Sequence, residues 1–454
     1  MKKYDVIIIG AGSAGIITGV TAKKQNPNKS ILMVREEEKG LVPCGIPYIF
    51  HNLNSVDENI MGPKAFIDLG GEVITNSVVD VNIKDKIVKV QSGERFSFEK
   101  LVFATGSKAV IANFISGYDL KNVFYISKSY KYINNLFNEL KDKKNIIVVG
   151  GGFVGAEMAE QLAMHTDKNI SLIESEEFCF SKAFSHTLSE IATAELNKSN
   201  VHVHTSTIIE EVLGKNGLVD GVRLKNNEEI KADAVIFAVG YKPNVEVATK
   251  SGLQTNMAGA IIVDNYGRTL EDNIYAVGDC SQTLGFLTGR CDYIMLASTA
   301  TAEARILGYN LFGIKIRNSF AGTIGVFSTK INGLAMAAAG LNEKNAIPSN
   351  IDFITAQFSA VDRHPSFIKD SSPLTVKLYV SPSDGSILGG EIWGGDSVGE
   401  IINIIGLAIQ KEVTIYELIS FQIGTHPLLT SAPTMPVIIK AAELALSKMQ
   451  SLKK

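Results

Sequence analysis

YDVIIIGAGSAG (residues 4–15) decides the fold, and its plan returns 140 positions later as KNIIVVGGGFVG (residues 144–155). Each copy is an apolar run followed by glycines at the first, third and sixth places of a loop. An unbroken Val/Ile run is what a parallel strand buried on both faces requires. In the loop, Gly10 permits the tight turn, Gly12 lets the backbone approach a pyrophosphate, and Gly15 lets a helix pack closely on the strand. Gly150, Gly152 and Gly155 fill the same places in the second copy. Each loop opens a helical pattern, through Ser13 and Ala14 in one copy and Phe153 and Val154 in the other. The N-terminal amides of such a helix favour an anion. Two nucleotide-binding modules of one design are expected.

A second repeated pair closes each module. LVFATGS (101–107) is echoed by AVIFAVGYKPN (234–244), apolar runs that break at Gly106 and Gly240. An acid about 20 residues after the glycine loop should hold a ribose hydroxyl. ISLIESEE (170–177) supplies Glu174, an acid that favours NADH and repels the 2′-phosphate of NADPH. In the first module ILMVREEE (31–38) puts Arg35 at that place and Glu36 one step later, so Glu36 competes with a plain solvated charge run. Further on, YAVGD (275–279) sets Asp279 directly after Gly278 at a strand end, placed to accept hydrogen bonds from a polyol or to cap the next helix.

The composition is that of a globular chain: 454 residues, 45% hydrophobic and 20% charged, a length for two to four domains. A net charge of −3 argues against binding nucleic acid by phosphate neutralisation. The four cysteines, Cys44, Cys179, Cys280 and Cys291, lack the spacings of a zinc site or a disulfide framework, so no metal is expected and a reducing cytoplasm fits. MKKYDVIIIG imitates a signal peptide, yet its apolar run stops at Gly10 and reads as a buried strand. No stretch has the apolar length of a membrane-spanning helix.

With GAGSAG, ATGS (104–107), GGGFVGAEMAE (150–160) and YAVGD in this order, the chain resembles the pyridine nucleotide–disulfide oxidoreductases over nearly its whole length. The resemblance implies an α/β fold with two Rossmann-like dinucleotide-binding domains and a C-terminal α+β dimerisation domain. It implies an FAD-binding domain from residues 1–112 and 243–322, an NADH domain at 113–242, dimerisation through 323–454, and a homodimer. FAD would lie along Gly10–Gly15, Glu36, Pro43, Ala104, Thr105, Gly106, Gly278 and Asp279. NADH, with NADPH as the alternative, would lie along Gly150–Gly155, Glu174 and Gly240. Phe153 stands where relatives carry a tyrosine that shutters the nicotinamide pocket, and Glu157 would approach the contact of flavin and nicotinamide. Independently of the resemblance, SPSDGS (381–386) between PLTVKLYV and ILGGEIWG reads as a hairpin, and residues 397–410 and 436–446 have helical periodicity.

VPCGIPY (42–48) carries the chemistry. Two-cysteine relatives place a second cysteine five residues on, where this chain has Ile49. Cys44 therefore resembles the single thiol of coenzyme A disulfide reductases, NADH oxidases, NADH peroxidases and polysulfide or persulfide reductases. A helix beginning within Gly45–Phe50 would favour the thiolate through its dipole, and Pro43 and Pro47 would stiffen the frame. Oxidases and peroxidases of this branch carry a histidine in the first glycine loop; Ser13 stands there and counts against them. Lys23, Lys24 and Arg305 match basic positions that take the phosphates of coenzyme A, although Thr301 replaces the asparagine four residues before Arg305. Lysines closing a helix also simply offset its dipole. His426, in GTHPLLTSAP, matches the histidine–proline pair of an acid–base catalyst, and His364 in DRHPSF raises the same question; a turn histidine is the competing reading. The expected activity is reduction of coenzyme A disulfide or a related small disulfide, polysulfide or persulfide at Cys44. The alternatives are an NADH oxidase or peroxidase working through a Cys44 sulfenic acid, and an electron carrier serving a protein partner.

Overall fold

The opening run forms the strand Lys2–Ile9, whose residues 6–9 are buried on both faces. A computed structural model describes residues 1–291, 294–317 and 322–452. The chain divides into two compact units: Met1–Val149, Ile209–Leu284 and Arg290–Thr323 make the first, and Gly150–Ile208, Gly285–Gly289 and Ile324–Lys454 the second.

In the first unit Lys2–Ile9 lies between two parallel neighbours, Ile31–Arg35 and Arg95–Phe103, with Glu72–Thr75 beyond the former. Arg95–Phe103 divides its far edge between two partners. Its first residues pair antiparallel with Ile87–Val90, and Leu101–Phe103 pair parallel with Ile274–Ala276. Alternation along the strands sends Ile7, Leu32, Val34 and Phe103 into one core layer and Val6, Ile8, Met33 and Val102 into the other. The second layer is covered by the helices Ser13–Gln25 and Ala297–Asn310. These meet so closely that a Cβ at Gly308 would lie 2.7 Å from Thr21 Cβ. The same unit carries a three-stranded parallel set, Val123–Tyr125, Ala234–Phe237 and Asn145–Val149, and an antiparallel meander from Ile209 to Lys231.

In the second unit the helix Phe153–Ala163 follows the second glycine loop, and Asn169–Ile173 pairs parallel with Val201–His204. Beyond Ile324, five antiparallel strands run in the order Phe327–Ile331, Leu334–Gly340, Ile387–Gly394, Pro373–Val380, Ile354–Val361. SPSDGS is the hairpin turn between Pro373–Val380 and Ile387–Gly394, as its residues require. The apolar sides of the helices Val398–Gln410 and Val437–Leu452 supply Ile402, Ile405, Ile409, Ala441 and Ala445 to the core against that sheet. Within it Tyr379, fully buried, donates its hydroxyl to Glu343 at 2.7 Å and to Glu391 at 3.3 Å. Glu391 also takes the amide of Ser185, the cap of the helix His186–Lys198.

Around Cys44 the structure corrects the sequence. Instead of one helix beginning within Gly45–Phe50 there are two short 3-10 turns, Pro43–Gly45 and Pro47–Phe50, and Cys44 lies inside the first. Pro47 has no N–H, so the α-helical ladder cannot start across it. The amides of Gly45, Ile46 and Ile49 instead reach back three residues, to the carbonyls of Val42, Pro43 and Ile46. The dipole expected of a full helix is not available to the thiol.

Candidate active site

Gly10 sits at φ +111°, a conformation that L side chains rarely adopt, and a Cβ there would lie 2.2 Å from the Ala104 carbonyl oxygen. A Cβ at Gly15 would lie 2.1 Å from the Gly10 carbonyl oxygen, and one at Gly278 2.8 Å from Ala14 Cβ. Three segments far apart in sequence thus meet at one point: the first glycine loop, Ala104–Gly106 and Gly278. Asn244 fixes the middle one, accepting the Thr105 hydroxyl at 2.5 Å and donating its own amide to Gly106 at 2.9 Å. Gly12 differs from its neighbours. It caps the helix Ser13–Gln25 with no side-chain hydrogen bond, and nothing lies within 4 Å of the Cβ it lacks. A backbone left open at a helix N-terminus fits the diphosphate of FAD.

Beside this point Asp279 Oδ2 accepts the Ser107 hydroxyl and the Lys128 ammonium, each at 2.7 Å. Lys128 also lies 4.9 Å over the ring of Tyr241, which donates its hydroxyl to the Ile126 carbonyl at 2.8 Å. Burial first, then the charges of Asp279 and Cys44, push the Tyr241 phenol well above its ordinary pKa, so it stays protonated. Cys44 is exposed, whereas Cys179 and Cys280 are buried. Burial, with Glu174 nearby, raises the Cys179 thiol to about 12, and burial likewise raises Cys280. Those two are inert; Cys44 is presented for reaction.

The remaining first-unit candidates separate. Glu36 is exposed beyond Ile31–Arg35, while its neighbour Glu37 is taken up by the Ser129 hydroxyl and the Lys131 amide at the start of the helix Tyr130–Glu139. Lys23 is turned inward, donating to the carbonyls of Pro27 at 2.8 Å and Lys29 at 2.7 Å; it closes its own helix. Lys24 and Arg305 are exposed. Gly240 follows the strand Ala234–Phe237 at φ +105°.

In the second unit the helix Phe153–Ala163 is capped by Gly152, again without a side-chain bond and again open around the missing Cβ. Glu174, just past Asn169–Ile173, accepts the Gly151 amide at 2.5 Å and the Glu176 amide at 2.8 Å. Its carboxylate is thereby held against the loop, where a ribose would lie if the dinucleotide follows the loop. Phe153 packs edge-on against Phe180, Phe184 and Phe327, with ring centroids 5.2–5.8 Å apart. Glu157 accepts the Thr329 hydroxyl at 2.7 Å, and burial raises its carboxyl to about 7. His426 is exposed in a turn, its Nδ1 accepting the Leu428 amide at 3.2 Å, which leaves the ring proton on Nε2. His364 lies in contact with that turn, its Nδ1 2.9 Å from the Thr430 carbonyl, so both histidine–proline pairs come together.

Sequence reasoning missed Lys128, Ser107, Tyr241 and Glu303. Lys128 and Tyr241 belong to no pattern of spacing. Glu303 did leave a signal: it shares a helical face with Ala300, Ala304 and Leu307, an acid on an apolar stripe. Among the described residues no cluster could hold a metal ion, and no helix is long and apolar enough to cross a membrane.

A model of the pyridine nucleotide-disulphide oxidoreductases matches residues 4–304, and the model of their dimerisation domain matches residues 326–436. The chain is 29% identical to a protein of Methanocaldococcus jannaschii named NADH oxidase, over 99% of this chain and 98% of that one. It is 28% identical to the NAD(P)H coenzyme A polysulfide/persulfide reductase of Pyrococcus horikoshii, over 88% and 89%. Among solved structures, an NAD-dependent persulfide reductase from A. fulgidus superposes with a TM-score of 0.89 at 26% identity, covering 98% of this chain and 84% of that one.

Proposed function

The chain belongs to the pyridine nucleotide-disulphide oxidoreductases, flavoenzymes that use FAD and NADH, and from that premise we propose that it reduces a sulfur species held on Cys44. The observation that carries the reading is the contrast among thiols: Cys179 and Cys280 are buried, and of the two exposed cysteines, Cys44 and Cys291, only Cys44 lies in a proline-framed turn shortly after the first glycine loop. The favoured substrate is coenzyme A disulfide or a related small disulfide, polysulfide or persulfide. FAD, when bound, supplies the two-electron relay from NADH. The Cys44 thiolate attacks one sulfur of the substrate, releases the other as a thiol and keeps a mixed disulfide or persulfide. Two electrons then break that S–S bond, returning the Cys44 thiolate and a second thiol. The sum is NADH, a proton and RSSR giving NAD⁺ and two RSH. A protonated leaving sulfur departs more readily, and His426, once its ring has taken up a second proton, is the proposed donor.

In this reading Gly10, Gly12, Ser13, Ala14, Gly15, Glu36, Pro43, Ala104, Thr105, Gly106, Gly278 and Asp279 hold FAD. Gly150, Gly152, Phe153, Val154, Gly155, Glu157, Glu174 and Gly240 serve the dinucleotide. Lys24 and Arg305 are the cations left for coenzyme A, since Lys23 is occupied within its helix. The FAD domain is 1–112 with 243–322, the NADH domain 113–242, and 323–454 joins two chains in a cytoplasmic homodimer.

The second reading is an NADH oxidase cycling Cys44 through a sulfenic acid, favoured by the M. jannaschii relative and opposed by Ser13. The intact mass of freshly purified, unreduced protein, with the adduct mapped, separates the two. A coenzyme A adduct or an added sulfur on Cys44 supports the first. A Cys44 carrying only oxygen, with NADH-driven oxygen consumption, overturns it in favour of the second.

A further inference from the structure

Glu303 is a half-buried acid with one carboxyl oxygen unused. Oε1 accepts the Thr283 hydroxyl at 3.1 Å, but Oε2 is sealed from solvent and has no hydrogen-bond partner. It lines a cavity of about 20 Å³ together with Gly278, Asp279, Ser281, Thr283 and Thr299. That is room for one oxygen atom of a ligand or one water. Asp279 is already committed to Lys128, and no ion pair reaches Glu303 among the described residues. Two carboxylates beside a site for a diphosphate would repel both each other and the ligand.

We propose that Glu303 enters the FAD complex as a neutral acid, its Oε2–H donating a hydrogen bond to an oxygen of the cofactor beside Gly278 and Asp279. The inference rests on the flavoprotein reading above and adds to it a residue that makes cofactor retention depend on pH. Burial raises this carboxyl to about 7, offset in part by Thr283 and the Gly278 amide and reinforced by Asp279. Cys280, next to Asp279, bonds instead to the carbonyls of Phe103 and Val277. The first helix faces this region through Ala14, and its charges, Lys23 and Lys24, come only in its last turn. Arg305, on the helix that carries Glu303, is exposed. The 256–260 segment contributes Asn256, Ala258 and Ala260 to the cavity and no ionisable group.

Below pH 7 the acid is already protonated and binding is at full strength. Above it a proton must come from solvent for each FAD bound, so affinity falls as pH rises. FAD release from the full-length holoprotein on dilution, followed by flavin fluorescence from pH 6 to 9, should show retention about 25-fold weaker at 8.5 than at 6.5. Glu303→Gln, which keeps a donor but cannot ionise, should hold FAD equally across the range. A variant with the wild-type slope, or a wild type with none, overturns the proposal. Should the variant not fold, calorimetric titration of FAD into deflavinated full-length wild type at pH 8, in two buffers of different ionisation enthalpy, decides. Uptake of close to one proton per FAD supports the proposal, and no uptake overturns it. A chain that binds no FAD at any pH would instead remove the flavoprotein reading, and this inference with it.

Discussion

The Lys128 ammonium meets the Asp279 carboxylate at 2.7 Å, with the two side chains only 29% and 14% exposed. Exposed pairs contribute up to about 1 kcal/mol, and breaking fully buried ones costs about 3–5. Lys128→Met should therefore lower stability by about 2 kcal/mol, read from the thermal midpoint, because Asp279 keeps only Ser107. The double variant with Asp279→Asn should cost less than the sum of the singles; strict additivity would show that the pair is not coupled.

Gly10→Ala and Gly12→Ala should fail in different ways. The first forces a Cβ to 2.2 Å from Ala104 O at φ +111°, so the protein should not accumulate in folded form. The second meets nothing within 4 Å, so the chain should fold within about 1 kcal/mol of wild type yet purify with little flavin. The visible absorbance per protein decides it. A Gly12→Ala protein saturated with FAD would move the diphosphate away from that loop.

Glu174→Ala removes the carboxylate that the Gly151 amide holds in place. Losing one charged hydrogen-bond partner costs about 1.5–3 kcal/mol, so KM for NADH should rise about tenfold or more. KM for NADPH should rise far less, because the repulsion of its 2′-phosphate goes as well. Equal rises for both dinucleotides would place the ribose elsewhere.

Burial raises the Glu157 carboxyl to about 7 in the fold, above its ordinary value of 4.5. Its folded pKa lies above its unfolded one, so protonation favours the fold. The penalty for keeping it charged is absent below about pH 4.5, grows up to about 7 and is complete above that. Glu157→Gln, which can still accept from Thr329, should thus gain stability over wild type by about 2 kcal/mol more at pH 8.5 than at pH 5.5. Thermal midpoints at the two values test this, and a constant difference would refute it.

Cys44→Ser should abolish NADH-driven disulfide reduction while leaving NADH–dye reduction within about twofold. If physiological turnover survived, the electron-carrier alternative would stand in its place.

The sequence made the glycine loops, the strand ends and the C-terminal hairpin legible because each is a local rule: a period of two, a missing Cβ, a turn composition. What it hid is of three kinds. Lys128 and Ser107 converge on Asp279 only after segments more than 150 residues apart are brought together. Lys23 matched a phosphate-binding position in sequence, but its flexible stem let it turn back onto Pro27 and Lys29. At Gly45–Phe50 the pattern suggested one helix, and the missing N–H of Pro47 divided it into two turns.

The divided edge of Arg95–Phe103 also fixes the order in which the flavin half can be finished on the ribosome. Lys2–Ile9, Ile31–Arg35 and Arg95–Phe103 can pair once the first hundred or so residues have emerged. Leu101–Phe103, however, wait for Ile274–Ala276, and the Ser13–Gln25 helix waits for Gly308 to close against Thr21. At about 5–20 residues per second that interval lasts roughly 10 to 40 seconds, during which an apolar strand edge stands open. The nascent chain is most exposed to misassociation then, while the length between its two halves is still being made.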